Sequence, residues 1–190
     1  MKNTLLIYTI LIVFSALFAI SCNVDKNENK KMSQAELISR GEYIVVTAGC
    51  GDCHTPKRMG KFGPEEDHDR LLSGHPSDEP IPEVDKSVLK SWALFNHGLT
   101  AGVGPWGASF AANLTSDASG IGNWSLDQFK KALREGIYKG LDGSRNLLPP
   151  MPWPAFKNFN DEDIEAIFSY LKSTKPIRNI VPQPIALEDL

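Results

Sequence analysis

The chain has 190 residues and a formal net charge of −3, from 20 basic and 23 acidic side chains. Removal of an export signal would leave about 170 residues, the usual length of one domain. The mildly acidic charge and the lack of a basic stripe in the sequence argue against a nucleic-acid-binding protein.

Residues 1–21 have the pattern of a bacterial lipoprotein signal peptide. Lys2 precedes an apolar run over residues 5–20, which falls short of the roughly 20 apolar residues that span a bilayer. The run ends in Ala-Ile-Ser-Cys, which resembles a lipobox and predicts lipidation of Cys22. The alternative is an ordinary signal peptide with a buried or spare Cys22. The chain has three cysteines, so lipidation leaves no odd thiol in an oxidising compartment if the other two act together.

The polar residues 22–32 would form a flexible tether between the lipid and a folded domain. We therefore expect a protein of the bacterial cell envelope that faces the periplasm or another extracytoplasmic side. Its membrane contact would be the lipid anchor rather than a spanning helix.

The folded part is predicted to begin with a helix over residues 33–47. Ser33 and Glu36 have the spacing of a capping box, which marks the start of a helix. Gly41 lies inside this helix, where glycine costs about 1 kcal/mol relative to alanine. We expect another backbone or a ring to approach closely at Gly41, because such an approach is a common reason for a glycine within a helix.

The next segment, Cys50-Gly51-Asp52-Cys53-His54, has the C-x-x-C-H pattern by which c-type haem is attached. The two thiols would form thioethers with the haem vinyl groups, and His54 would be the proximal iron ligand. A thioredoxin-like redox pair and half of a zinc site are the alternatives for a C-x-x-C pair. The first expects a strand–helix–strand setting and the second needs another close pair of ligands, and the sequence shows neither. The motif occurs once, so one covalent haem c is predicted.

Residues 61–104 are rich in proline and acidic side chains, and only residues 87–96 look helical. An acidic rim in this segment would steer a basic redox partner towards the haem. The alternative is a solvated loop that covers one haem edge. His68, His75 and His97 are predicted to be surface or loop residues rather than iron ligands.

Two further helices are predicted in the second half of the chain. Ser125 and Gln128 have the spacing of a second capping box, and that helix is expected to continue to about Ile137. The last helix would begin after Asn160, with acidic residues at its start and Lys172 near its end. Its apolar stripe comprises Ile164, Ile167, Phe168 and Leu171. Since no segment shows a convincing strand alternation, an all-α fold is predicted, followed by an extended C-terminal tail over residues 176–190.

Met151 is the candidate for the second axial ligand. Electron-transfer haems usually have a sixth ligand, and a methionine raises the reduction potential. Met151 is flanked by Pro149, Pro150, Pro152 and Pro154, which restrict the loop so that it loses little entropy when it presents the thioether. The alternative is a methionine that fills a gap in the core. Of the three other methionines, Met1 is removed with the signal, Met32 lies in the tether, and Met59 follows the haem motif too closely.

The order of these features resembles that of a class I monohaem cytochrome c, over residues 33–60 and 105–175. The later half is similar more narrowly to the cytochrome c modules of bacterial membrane-associated dehydrogenases. The matching stretches are residues 110–115, 120–125, 132–136 and 149–152. The resemblance implies a cytochrome c domain over residues 33–175, with residues 61–104 as an insert.

The resemblance also implies roles for single residues. His54 and Met151 would be the axial ligands, and Trp124 would donate its indole N–H to a haem propionate, with simple core packing as the alternative. Arg145 is a weaker propionate candidate. Ile167, Tyr170 and Leu171 would pack on the first helix. Val45 stands where family members carry an aromatic residue, and Tyr43 is the expected substitute.

The sequence therefore predicts a lipid-anchored one-electron carrier rather than an enzyme. Its partners would be a dehydrogenase as electron donor and an oxidase or reductase as acceptor. The alternative is a five-coordinate haem enzyme or gas sensor of peroxidase type, in which His75 or His97 would be the distal base. A third possibility is a non-catalytic subunit held permanently in a dehydrogenase complex.

Overall fold

The computed structural model describes residues 31–190. The predicted signal peptide, the lipidation site at Cys22 and most of the tether lie outside the described residues. The helices are α1 (Gln34–Thr47), α2 (Cys50–His54), α3 (Leu126–Glu135), α4 (Trp153–Phe156) and α5 (Asp161–Ser173). The strands are β1 (Lys57–Gly60), β2 (Gly63–Glu66), β3 (Leu94–Phe95), β4 (Ala101–Gly104) and β5 (Gly107–Phe110). Within residues 31–190, no helix combines the length and apolarity that a bilayer crossing requires.

The three long helices begin and end for reasons visible in the sequence. Both predicted capping boxes are present, at Ser33 before α1 and at Ser125 before α3. Asn160 caps α5 by accepting a hydrogen bond from the backbone N–H of Asp163. Helix α3 ends two residues earlier than predicted, because Gly136 adopts a left-handed conformation with a φ of +67°.

Helices α1 and α5 cross at Gly41. A Cβ atom at this position would collide with the carbonyl group of Ala166, and it would lie 2.8 Å from the Cβ of Tyr170. The predicted close approach is confirmed, and the missing side chain is what allows the two helices to touch. The expectation that Tyr43 replaces the family aromatic is wrong, since Tyr43 is 68% exposed whereas Val45 is buried in the core. Positions two residues apart lie on different faces of a helix, so Tyr43 cannot fill the place of Val45.

The main core lies between these helices and the segments that connect them. It contains the buried side chains of Ile44, Val45, Leu72, Ile121, Phe129, Leu133, Ile164, Ile167 and Leu171. Cys50, Trp124, Met151 and Tyr170 are partly buried hydrophobic residues that pack against this cluster. Residues of the haem motif and of the proline-rich loop therefore contact one common core.

The segment between α2 and α3 contains two small antiparallel sheets, so the all-α prediction is wrong in this region. Strand β1 pairs with β2, while β4 lies between β3 and β5. The helix predicted over residues 87–96 is reduced to a 3₁₀ turn at Val88–Lys90. All four residues of β4 are buried, and a strand that is covered on both faces shows no alternation from which it can be predicted.

The C-terminal residues extend along the segment between α2 and α3. Ile185 and Ala108 exchange two backbone hydrogen bonds, of 2.8 and 3.1 Å. The side-chain amide of Asn179 donates to the carbonyl oxygens of Ser73, at 2.7 Å, and His75, at 2.8 Å. The C-terminal segment thus connects β5 to the loop that follows β2.

Candidate functional site

The C-x-x-C-H motif forms helix α2, a single turn that begins directly after Gly49. Gly49 has a φ of +69°, which reverses the chain between α1 and α2. Cys50 and Cys53 lie three residues apart on this turn, which places their side chains on one side of it. Neither thiol forms a disulfide bond with another described residue.

The two thiols do not have the electrostatic environment of a redox-active pair. Burial raises the pKa of Cys50 to about 11, and burial also raises the pKa of Cys53. Reactive thiols in C-x-x-C redox proteins have a lowered pKa instead. The zinc alternative is not supported either, because residues 31–190 contain no group of three or more potential metal-ligating side chains among His, Cys, Asp and Glu. Two unpaired thiols at this spacing suit thioether formation with haem.

His54 is buried, and its ring is fixed by one hydrogen bond. Its Nδ1 lies 2.7 Å from the carbonyl oxygen of Ala112. Because a carbonyl only accepts, Nδ1 carries the proton and Nε2 keeps its lone pair. Burial lowers the pKa of His54, which favours the neutral ring that a metal requires. The residues of the motif therefore fit a c-type haem, with Nε2 of His54 as the ligating nitrogen.

The Ala112 carbonyl is held in place by the loop that follows β2. Gly74 N–H donates to the His54 carbonyl oxygen at 2.8 Å, and His75 N–H donates to the Ala111 carbonyl oxygen at 2.9 Å. Gly74 has a φ of +78°, and a Cβ on it would lie only 2.5 Å from the Ala111 oxygen and 2.7 Å from the Ala112 oxygen. Sequence reasoning missed the role of Ala112, because a backbone carbonyl leaves no side-chain signal. Gly74 was the residue whose type could have indicated this close approach of two backbone segments.

His75 lies in a loop, as predicted, but it is fully buried rather than at the surface. Its Nδ1 is 2.8 Å from the Thr100 hydroxyl, and its Nε2 is 2.9 Å from the Glu79 carbonyl oxygen. The carbonyl requires a proton on Nε2, so Nδ1 accepts from Thr100. Since both ring nitrogens have partners, the ring can be buried without an unsatisfied polar group. His68 and His97 are exposed.

Met151 lies in the loop between α3 and α4 and is half-buried against the main core, which Cys50 also contacts. Within this loop, Leu147 N–H donates to the carbonyl oxygen of Gly136, the residue directly after α3, at 2.6 Å. Trp153 follows Met151, and its indole ring lies so close to Gly136 that a Cβ there would overlap the ring. The loop is therefore anchored at the end of α3.

The two propionate candidates differ in what surrounds them. Trp124 is half-buried against the main core, and its indole N–H has no hydrogen-bond acceptor among residues 31–190. The guanidinium of Arg145 is exposed, donates to the Asn146 carbonyl oxygen at 2.9 Å and lies 3.9 Å from the centre of the Tyr138 ring. Both residues have available donors, but Trp124 is packed against the core that Cys50 and Met151 contact, whereas the Arg145 guanidinium is exposed and lies over the Tyr138 ring.

Three relatives illustrate what the chain is similar to. It is 32% identical over 142 residues to the fructose dehydrogenase cytochrome subunit of Gluconobacter japonicus, covering 74% of this chain and 22% of that protein. It is 32% identical over 143 residues to the cytochrome c subunit of the quinone alcohol dehydrogenase of Gluconobacter oxydans, covering 74% and 22%. It is 30% identical over 135 residues to the gluconate 2-dehydrogenase cytochrome c subunit of Pantoea cypripedii, covering 70% and 22%. The chain thus spans less than a quarter of the length of each relative.

The family model for cytochrome c matches residues 38–175, which include the C-x-x-C-H motif, the insert, Met151 and α5. The match covers most of the chain and agrees with the resemblance that the sequence motifs carry. This chain belongs to the cytochrome c family, whose members carry a covalently bound c-type haem, and Cys50 and Cys53 provide the thiols for its attachment.

Proposed function

We propose that this chain is a one-electron carrier whose haem iron is held between His54 and Met151, and that it serves a membrane-bound dehydrogenase. The haem, when attached, supplies the reversible exchange of one electron between ferric and ferrous iron. The observation that carries the proposal is the hydrogen bond from His54 to the Ala112 carbonyl, which leaves Nε2 as a neutral ligand atom.

Met151 is proposed as the opposite ligand because its loop contacts the same core as the haem motif. Pro149, Pro150 and Pro152 fix backbone angles on both sides of it, so little conformational freedom remains to be lost when the thioether is presented. A thioether on the iron raises the reduction potential. Such a potential suits a protein that accepts electrons from a dehydrogenase.

The five-coordinate alternative required His75 or His97 as the distal base, and neither is suited to that role. Both nitrogens of His75 are occupied by Thr100 and Glu79. His97 is exposed on the loop between β3 and β4. Electron transfer is therefore favoured over peroxidase-type chemistry.

The test is the visible absorption spectrum of the purified holoprotein in both oxidation states, with and without carbon monoxide. We expect the reduced wild type to be six-coordinate and low-spin, and to bind carbon monoxide poorly. Met151→Ala should open the sixth position, lower the potential and allow fast carbon monoxide binding. Met59→Ala is the matched control, since Met59 is 78% exposed, and it should behave as the wild type. Rapid carbon monoxide binding by the wild type, or an unchanged spectrum of Met151→Ala, would overturn the axial assignment.

The partner is proposed from the printed names of the relatives, which are cytochrome subunits of fructose, alcohol and gluconate dehydrogenases. A dehydrogenase would be the donor, and an oxidase or reductase the acceptor. Permanent association as an electron-transfer subunit is distinguished from transient docking by co-purification from detergent-solubilised membranes. A haem protein that elutes alone at low and moderate salt would support the transient carrier.

Attachment to the membrane through lipidated Cys22 completes the proposal. Cys22→Ala should move the haem protein from the membrane fraction to the soluble fraction without changing its visible spectrum. A Cys22→Ala protein that lacks residues 1–21 by mass, carries no dehydrogenase subunit and still remains in the membrane fraction after a salt wash would contradict the lipid anchor.

A further inference from the structure

The Met151 loop is contacted at two neighbouring points, by Gly102 near the end of the insert and by Ser109 on the strand that follows it. Strands β4 and β5 form a hairpin that lies beside Pro149 and Pro150. These two residues immediately precede Met151. The insert is therefore not only a solvated loop over the haem edge, which was one of the two alternatives from the sequence.

The first contact is a hydrogen bond from Ser109 on β5. Its buried hydroxyl lies 2.5 Å from the Pro149 carbonyl oxygen and 3.3 Å from the Gly102 carbonyl oxygen. The hydroxyl has a single proton, and the much shorter distance assigns this proton to Pro149. The indole N–H of Trp106 lies 3.3 Å from the same hydroxyl oxygen and donates to it. Trp106, Ser109 and Pro149 thus form a short donor chain that ends on the loop.

The second contact is steric and involves Gly102 on β4. A Cβ atom on Gly102 would lie 2.9 Å from Cδ and 3.2 Å from Cγ of Pro150. These distances are shorter than ordinary van der Waals contacts between carbon atoms. The Pro150 ring therefore rests directly on the backbone of β4, and a side chain at Gly102 would push it away.

Apart from its anchor at the end of α3, the part of the loop next to Met151 has few hydrogen bonds that fix its position. Pro149, Pro150 and Pro152 have no backbone N–H to donate. The N–H of Met151 reaches the Leu148 carbonyl oxygen at 3.3 Å, which is a long hydrogen bond. Among the described residues of other segments, Ser109 is the one whose side chain forms a hydrogen bond with the loop next to Met151.

We propose that Ser109 is a positioning residue for the axial ligand: by holding the Pro149 carbonyl, it sets where the sulfur of Met151 lies. This inference rests on the proposed ligation by Met151. It assigns the hairpin β4–β5 a mechanical role, because the hairpin presses on Pro150 through Gly102 and holds Pro149 through Ser109. Loss of either contact would let the loop move and would lower the fraction of protein in which the sulfur of Met151 occupies the sixth position.

The experiment measures carbon monoxide binding and the reduction potential of the holoprotein for three variants and their controls. Ser109→Ala should raise the fraction of reduced protein with a displaced sulfur roughly fivefold, the change in an equilibrium that loss of one hydrogen bond commonly causes. Ser109→Thr retains the hydroxyl and should restore the wild-type behaviour. Gly102→Ala should act in the same direction as Ser109→Ala through the displaced Pro150 ring.

Matched controls separate ligand positioning from general stability. Ser116 donates its hydroxyl to the Thr174 carbonyl oxygen at 2.6 Å, so Ser116→Ala removes a similar bond that reaches the end of α5 and not the loop. Gly98→Ala adds a methyl group in the same insert, where the nearest atoms would be 3.5 Å away. Both controls should keep the wild-type potential and carbon monoxide binding, whatever their effect on unfolding.

The outcomes distinguish the inference from the proposed function. If the wild type itself binds carbon monoxide rapidly, the axial assignment fails and the role of Ser109 fails with it. If the wild type is six-coordinate and both Ser109→Ala and Gly102→Ala leave it so at an unchanged potential, the positioning role alone is refuted. Equal shifts in Ser109→Ala and Ser116→Ala would also refute it, since they would reflect lost stability.

Discussion

The two sides of the proposed haem site are held by different means. On the His54 side, residues 54–55 bond to residues 72–74 and, through the His54 ring, to Ala112, while backbone hydrogen bonds join residues 72–75 to residues 111–114. On the Met151 side, prolines replace most donors, and the loop depends on Gly136, Ser109 and packing. Damage to the first side should therefore reduce the stability of the fold. Damage to the second should chiefly change the occupancy of the sulfur ligand.

The largest effect is expected for His54→Ala, which removes the proximal nitrogen while leaving both thiols. We expect the yield of haem-bearing protein to fall to a small fraction of the wild-type yield, since the attached group loses the ligand that its motif supplies. The measurement is the haem absorbance per mole of purified protein. His97→Ala, at an exposed position, is the control and should load normally.

Gly74→Ala tests whether the His54 side is as tightly packed as its contacts indicate. The added Cβ would meet the Ala111 and Ala112 carbonyls at a backbone φ of +78°. We expect the free energy of unfolding to fall by about 3 kcal/mol, from strain at this φ together with overpacking. Urea denaturation of the holoprotein measures it.

Gly143→Ala provides the control for Gly74→Ala. Its φ is +77°, yet nothing lies within 4 Å of the position that a Cβ would occupy. It should therefore cost only about 1 kcal/mol, from the backbone conformation alone. Equal losses in the two variants would show that the clash with residues 111–112 is not real.

His75→Leu tests the hydrogen bonds of the buried His75 ring, which lies next to the segment that contains Ala111. It removes both ring hydrogen bonds and leaves the buried Thr100 hydroxyl and the Glu79 carbonyl without these partners. We expect the free energy of unfolding to fall by about 2 kcal/mol, with carbon monoxide binding almost unchanged. A variant of unchanged stability that binds carbon monoxide rapidly would reverse this expectation and make His75 part of the ligand system.

The smallest effect on stability is expected on the other side of the site, for Trp153→Leu. The half-buried indole packs against Gly136 and anchors the Met151 loop. Its replacement should lower the free energy of unfolding by about 1 kcal/mol, from the apolar area that is lost. Carbon monoxide binding should nevertheless increase, in contrast to His75→Leu. Trp92→Leu, at a side chain that is 66% exposed, should change neither quantity.

Much of the helical frame was predictable because its signals are local. Ser33, Ser125 and Asn160 mark helix starts through hydrogen bonds within one turn. Gly41 predicted a close approach, although its partner, Ala166, was not identified until the fold was known. The C-x-x-C-H motif likewise carries its chemistry in five consecutive residues.

The segment between α2 and α3 was harder to predict, because its structure depends on contacts distant in sequence. Strands of two to four residues are too short to show a period. His75 is buried only because Thr100 and Glu79 satisfy its ring. The Ala112 carbonyl reaches His54 across 58 residues of chain, and no residue type marks that carbonyl in the sequence. Features that depend on backbone atoms or on distant pairing were thus visible only in the folded chain.

The central claim, that the iron lies between His54 and Met151, is tested most directly by a crystal structure of the reduced holoprotein. The account predicts Nε2 of His54 on one face of the haem, with Nδ1 still bonded to Ala112, and Sδ of Met151 within bonding distance on the other. A sixth position that is vacant, or filled by water or another side chain while Met151 points elsewhere, would contradict it.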